Sequence, residues 1–127
     1  MTKNEKIIVV SGDFDPLDFE DLQFLRACRK KGNWLIVGVH SDLFLDLCRG
    51  GHFLDFKVRK EMIEALKCVD EVFAFNDADG TVINLLKLVK FCYPMSDITY
   101  ISEEDMHNMP ETKIRGITFE VLKQGEK

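Results

Sequence analysis

Short apolar runs and amphipathic stretches alternate along the chain from end to end. Ile7-Ile8-Val9-Val10 is a β-branched run closed by Ser11-Gly12. WLIVGV at 34–39, EVFAF at 71–75, ITYI at 98–101 and ITFEVL at 117–122 follow it. Runs that are apolar at almost every position, rather than at every second one, predict strands covered on both faces, as in a parallel sheet. Between them the apolar positions recur with helical spacing. Over 19–31 they are Phe19, Leu22, Leu25 and Cys28, with Phe24 widening the stripe. Arg29, Lys30 and Lys31 complement the dipole in the last turn, and Gly32 is a stop signal. Over 54–69 the stripe is Val58, Met62, Ala65, Leu66 and Val69, and over 81–91 it is Val82, Leu85, Leu86 and Val89. A shorter turn at 41–48 follows the second strand, with Ser41 as a good N-cap. Strand and helix in alternation predict an α/β fold, a Rossmann-like three-layer sandwich with a mostly parallel five-stranded sheet in one domain over 1–127. Such sheets place ligands at the carboxyl ends of the strands. The loops to inspect are therefore 12–18, 40–42, 76–80 and 102–110.

Composition narrows the function classes. The chain has 127 residues, 46% hydrophobic and 31% charged, which is a folding composition. Asp and Glu total 22 against 17 Lys and Arg, a net charge of −5 without a basic cluster. That balance argues against nucleic acid or an anionic membrane as partner. No apolar run approaches the length of a membrane span and none reads as a signal peptide, so the expected location is cytoplasmic. Cys28, Cys48, Cys68 and Cys92 are isolated, without a CxxC pair; they are expected to be reduced core thiols and neither a zinc site nor a disulfide set.

The first strand leads into Gly12-Asp13-Phe14-Asp15-Pro16-Leu17-Asp18-Phe19-Glu20-Asp21. A glycine there lets backbone approach a ligand, and the following helix start offers free N–H groups to an anion. One glycine does not make a dinucleotide fingerprint. The segment resembles the G-[T/C]-F-D-x-x-H-x-G-H signature of the cytidylyltransferase-like nucleotidyltransferases, with Gly12, Phe14 and Asp15 on the family's Gly, Phe and Asp. LIVGVHSD at 35–42 is similar to the family's second strand and the pair after it. RKEMIEALKCVDEVF at 59–73 is similar to its arginine-bearing helix and the Val-Asp pair ahead of the third strand. The likeness runs over roughly residues 6 to 105 and is nearest to glycerol-3-phosphate cytidylyltransferases and the ADP-heptose synthase nucleotidyltransferase domain.

The resemblance implies transfer of a nucleotidyl group to a phosphorylated sugar or polyol with release of pyrophosphate, and Mg²⁺ if the chain is active. It implies a nucleotide or phosphorylated metabolite as ligand and a homodimer as assembly. It also places Gly12, Asp13, Phe14, Asp15, Arg49 and Arg59 at the nucleotide and phosphates, Arg49 where the family often has a lysine and Arg59 on the helical arginine. Guanidinium groups suit phosphate through paired donors; the plainer reading of both is a surface ion pair.

The chemistry departs from the family at two points. Its signature histidines fall on Asp18 and Asp21, and its signature glycine on Glu20. An imidazolium is a cationic donor for charge on the attacked phosphate, whereas an ionised Asp is an anion with acceptors only. Between Lys6 and Arg26 there are five acids and no base. The family's Ile-Ser-Thr-Thr-like segment after the last strand has no counterpart in Lys123-Gln124-Gly125-Glu126-Lys127. The expectation is therefore a family member with impaired nucleotidyl transfer. An active divergent transferase and a non-catalytic interaction module are the alternatives.

Each candidate also has a structural reading. Asp18 is a good N-cap, with Asp21 three residues on as in a capping box. A divalent cation among Asp13, Asp15, Asp18 and Asp21 is the sharper alternative, without a recognised metal spacing. Asp15 precedes Pro16 and is expected to hold that turn. His40 ends the second strand at the ligand edge, where a lone histidine is more often a satisfied polar group. His52, after Gly50-Gly51, is expected in a flexible exposed loop, and His107 in solvent. The 76–80 loop is expected to cap the next helix through Asp79 or Thr81. Ser102-Glu103-Glu104-Asp105 replaces the glycine-containing segment relatives often carry there, which narrows the room for a base or ribose.

Overall fold

A computed structural model of the chain describes residues 5–106 and 109–122. His107 and residues 123–127 lie outside them. Five strands, β1 (Lys6–Gly12), β2 (Trp34–Val39), β3 (Glu71–Ala74), β4 (Asp97–Ser102) and β5 (Ile117–Val121), form one sheet in the order β3-β2-β1-β4-β5. Every pairing is parallel, as the unbroken apolar runs predict. β1 is central. Its Ile8 and Val10 join Leu35, Val37 and Val39 on one face, covered by Phe24, Leu25 and Cys28 of α1 (Phe19–Arg29) and Ile63 of α3 (Phe56–Glu64). Ile7 and Val9 point to the other face with Ile36, Ile98 and Tyr100, under Leu85, Leu86 and Val89 of α4 (Ile83–Cys92). These are the three expected layers. Gly38 admits α4: a Cβ there would stand 2.4 Å from a Leu85 methyl.

The helices differ from the sequence reading in detail. α2 (Asp42–Arg49) starts from Ser41, whose hydroxyl accepts from Phe44 N, and ends at left-handed Gly50. α3 is shorter than 54–69, because Leu66 and Val69 turn back onto Ile63 and Leu66 in single-turn bonds. Its inward residues are Arg59 and Ile63; Val58 and Met62, expected inside, are 42% and 40% exposed. Phe19, expected in the α1 stripe, is 66% exposed. α4 starts two residues late, because Asp79 spends its carboxylate on Thr81 N and Oγ1, while the Thr81 hydroxyl accepts from Ile83 N. Among the cysteines only Cys28 is fully buried, its thiol pushed up to about 12 by burial, whereas Cys48 and Cys92 are exposed. The isolated-thiol reading holds; the all-core reading does not. None of the described helices is long and apolar enough to cross a membrane.

Strand order reverses between β1 and β4. An open parallel sheet splays its crossover loops apart there and leaves a crevice at the carboxyl edge.

Candidate functional site

That crevice is a cleft of about 460 Å³. Its floor is Ser11, Gly12 and Tyr100, with the Ser11 and Tyr100 hydroxyls 2.7 Å apart. The loop after β1 supplies Asp13 and Phe14, α1 supplies Asp21 and Phe24, β2 leads into His40, α2 contributes Arg49, and β4 ends in Ser102 and leads into Glu103 and Glu104. Four of the six predicted contact residues, Gly12, Asp13, Phe14 and Arg49, thus meet in one place, together with Asp21.

The β1 loop is held by its own packing. Phe14 takes φ 49°, unusual for a bulky residue, and its ring lies beneath Gly12, where a Cβ would meet it at 2.7 Å. The room that the glycine opens is filled by this ring. The loop then turns through a cis Asp15–Pro16 bond. Asp15 faces away from the cleft lining and accepts from Phe53 N at 2.7 Å and Leu54 N at 2.6 Å. Burial pushes its carboxyl up, but those two donors, with Arg59 and His52, hold it below its ordinary value. Asp15, expected to hold its own turn before Pro16, instead holds the turn after α2.

At α1, Asp18 Oδ1 accepts from Asp21 N at 2.8 Å, and Asp21 Oδ2 accepts from Asp18 N at 3.2 Å. Both signature positions are therefore parts of a capping box. Asp21 turns its half-buried carboxyl to the cleft, and burial, Asp18 and Glu103 push it upward against the Asp18 N–H. Asp13, Asp15, Asp18 and Asp21, weighed as an alternative cation site, are each engaged elsewhere. Asp13 pairs with Arg49, Asp15 binds the 53–54 backbone, and the other two bind the helix start.

The two arginines part company. Arg49 lines the cleft, its Nε 2.8 Å from Asp13 Oδ2, so its charge is matched there. Arg59 does not reach the cleft at all. It is 0% exposed and donates to the carbonyls of Leu54, Asp13 and His40 and to Asp42 Oδ1, each within 2.9 Å. Four of its five N–H donors are consumed in joining the ends of β1 and β2 to the start of α3. The phosphate contact expected of Arg59 is corrected accordingly.

His40 carries more than the sequence reading gave it. It is buried, stacked on Phe44 with ring centroids 3.8 Å apart, and its Nδ1 lies 2.9 Å from Asp77 Oδ2. Asp77 also accepts from Ser41 N and Ser41 Oγ. Burial acts to raise the Asp77 carboxyl, yet the Ser41 and His40 bonds hold it below its usual range. The lowered Asp77 carboxylate accepts from His40 Nδ1–H and fixes the ring at the cleft lining. Asp77 was missed because nothing local marks it: its partner is 37 positions away in sequence.

His52 is not loose. Its Nδ1 lies 2.7 Å from Asp46 Oδ1 and its Nε2 3.1 Å from Asp55 Oδ1. The Asp46 bond, opposed by partial burial and aided by Asp55 and Asp42, raises its pKa.

The cleft thus lies at the carboxyl edge of the sheet and has a matched arginine, a buried imidazole and an acidic mouth. With that geometry the family follows. The family model described as cytidylyltransferase-like matches residues 9–121, and the chain belongs to that family. It is 33% identical over 78 residues to the bifunctional protein HldE of Hydrogenovibrio crunogenus, 60% of this chain and 16% of that one. It is 31% identical over 67 residues to the glycerol-3-phosphate cytidylyltransferase of Staphylococcus aureus, 53% of this chain and 51% of that one. The chain therefore spans about half of one relative and a sixth of the other. The crystal structure of the lipopolysaccharide core biosynthesis protein from Thermoplasma volcanium superposes with a TM-score of 0.71 at 22% identity, covering 94% of this chain and 96% of that one. This agrees with the α/β, Rossmann-like architecture. The resemblance at 12–21, 35–42 and 59–73 is confirmed as family membership.

Proposed function

We propose that this chain is a cytidylyltransferase-family domain that keeps a nucleotide-type cleft and has impaired nucleotidyl transfer. The observation that carries the reading is the Asp18–Asp21 capping box at the two signature positions. Where the resembled family presents cationic donors to an α-phosphate, this helix start presents two carboxylates. Like charges 4 Å apart at an effective dielectric of about 20 repel by about 4 kcal/mol, a factor of roughly a thousand in affinity. Glu103 and Glu104 add to the same sign across the cleft. Arg49, the guanidinium of the lining, is already matched by Asp13. The donor set, four carboxylates and one arginine already paired with Asp13, does not fit an Mg²⁺–triphosphate. The ligand this cleft suits is a nucleoside or metabolite of low negative charge, with Tyr100, Ser11 and His40 as its polar contacts.

Pyrophosphate release tests this. CTP or ATP with Mg²⁺ and a panel of sugar and polyol phosphates is expected to give no turnover above background at high protein concentration. Turnover dependent on Arg49 would establish the active divergent transferase instead.

A non-catalytic interaction module working as a homodimer is the second reading. The observation favouring it is the outer face of α2, where Leu43 and Leu47 are 59% and 75% exposed one turn apart. Sedimentation equilibrium of the native chain and of Leu47→Asp decides it: a dimer dissociated by the substitution supports that face, and a monomer removes it.

A further inference from the structure

Outside the cleft lining, the start of α2, the turn at 50–55 and the start of α3 gather one imidazole and three carboxylates. His52 Nε2 stands 3.1 Å from Asp55 Oδ1 and 3.8 Å from Asp42 Oδ2. One ligand atom from each of these three residues lies within 4.8 Å of the others. Ligands held about 2.0–2.1 Å from one tetrahedral ion are about 3.3 Å apart, so the two distances at His52 bracket the separation a shared ion imposes. We propose that Asp42, His52 and Asp55 form a site for a divalent transition ion of the zinc type, with solvent completing its shell.

Three further features prepare these groups for an ion. First, the far ring nitrogen is spoken for. Asp46 Oδ1, 2.7 Å from His52 Nδ1, holds the ring from behind and directs Nε2 towards the other two carboxylates. A carboxylate behind the ring is the usual support of a metal-bound histidine. Second, Asp55 occupies the N-cap of α3 in extended conformation, yet its side chain makes no cap hydrogen bond. An aspartate there normally binds the helix N–H groups. This one is turned to the imidazole, at a cost to its own helix. Third, Asp42 is fixed from behind, because its Oδ1 accepts from the fully buried Arg59 while Oδ2 faces His52.

Charge and ligand type select the ion. Asp42, Asp46 and Asp55 carry three negative charges and Arg59 one positive, so with a neutral imidazole the group sums to −2. A divalent cation brings it to zero. One nitrogen and two carboxylate oxygens favour zinc and its first-row neighbours over Mg²⁺ or Ca²⁺, which prefer oxygen throughout. The ion would clasp α2 to α3 across the Gly50-Gly51 turn, and Asp15 already anchors the same turn through Phe53 N and Leu54 N.

Calorimetric titration of the metal-stripped full chain with Zn²⁺, in a buffer that does not chelate, tests the site. One saturable site and a rise in Tm on adding Zn²⁺ are expected. His52→Gln and Asp55→Asn should each weaken binding at least tenfold, and Asp46→Asn by about 10–100-fold, the usual effect of losing such a support. Without metal, the circular dichroism and Tm of these surface variants should match the parent. Cys48→Ser should bind as the parent does. Absence of saturable binding up to millimolar Zn²⁺ overturns the proposal. So does binding that survives His52→Gln and Asp55→Asn but is lost in Cys48→Ser, which would assign the ion to the exposed thiol.

Discussion

Asp18 and Asp55 both stand at the N-cap of a helix, and the fold uses them in opposite ways. Asp18 gives its carboxylate to the backbone of α1 and receives a reciprocal bond from Asp21. Asp55 leaves α3 uncapped and faces His52. Asp18 and Asp21 bind the helix start, and no base lies between Lys6 and Arg26 in sequence. The turn before α3 has an imidazole and, behind it, the buried Arg59. The same side chain at the same helical position is thus structural in one turn and available in the other, and the neighbours decide which.

The largest effect should come from the cation behind the second turn. Arg59→Met strips the donors from three carbonyls and Asp42, and is expected to cost about 3–5 kcal/mol in denaturant unfolding. A loss below about 1 kcal/mol would mean that Arg59 does not join the strand ends to α3. Asp15 links the two turns, so Asp15→Ala should cost about 2 kcal/mol, since two backbone N–H groups lose a charged acceptor. Backbone amide exchange should accelerate at Phe53 and Leu54 before any other position; unchanged protection there would contradict the link. The comparison itself is sharpened by alanine at each cap. Asp18→Ala should lower stability by about 1 kcal/mol, and Asp55→Ala in metal-free buffer by much less. Equal losses would break the contrast.

The smallest effect concerns pH. Asp21 has a raised folded value, so the stability tied to its proton is present at low pH and lost as pH rises through that value. Asp21→Asn should therefore leave the chain equal or slightly more stable at neutral pH, by about 0.5 kcal/mol or less. Asp15 and Asp77 are lowered, so their contribution holds above the ordinary carboxylate range and disappears as pH falls below it. Thermal melts of the native chain and Asp21→Asn from pH 3 to 7 read both signs.

The sheet was legible because its residues are locally consistent. Five apolar runs gave five parallel strands, and Asp18 and Ser41 cap the helices that their positions announced. α3 misled the eye because one of its two inward positions is an arginine. Val58 and Met62 mimic a core stripe, but Arg59 turns inward to bond the adjacent Leu54 carbonyl and the distant carbonyls of Asp13 and His40. The same long reach hid the other partners. Asp77 and His40 are 37 residues apart, as are Trp34 and Glu71, and no periodicity joins them. His52 was unreadable for a related reason, because a histidine after two glycines gains meaning only when two helix starts converge on it.

Calorimetry of CTP and ATP with Mg²⁺, on the native chain and on the double variant Asp18→His with Asp21→His, addresses the central claim about the cleft. The native chain is expected to show no saturable binding below the millimolar range, and the double variant to gain at least tenfold. Micromolar triphosphate binding by the native chain, unchanged or weakened by the two histidines, would contradict the account.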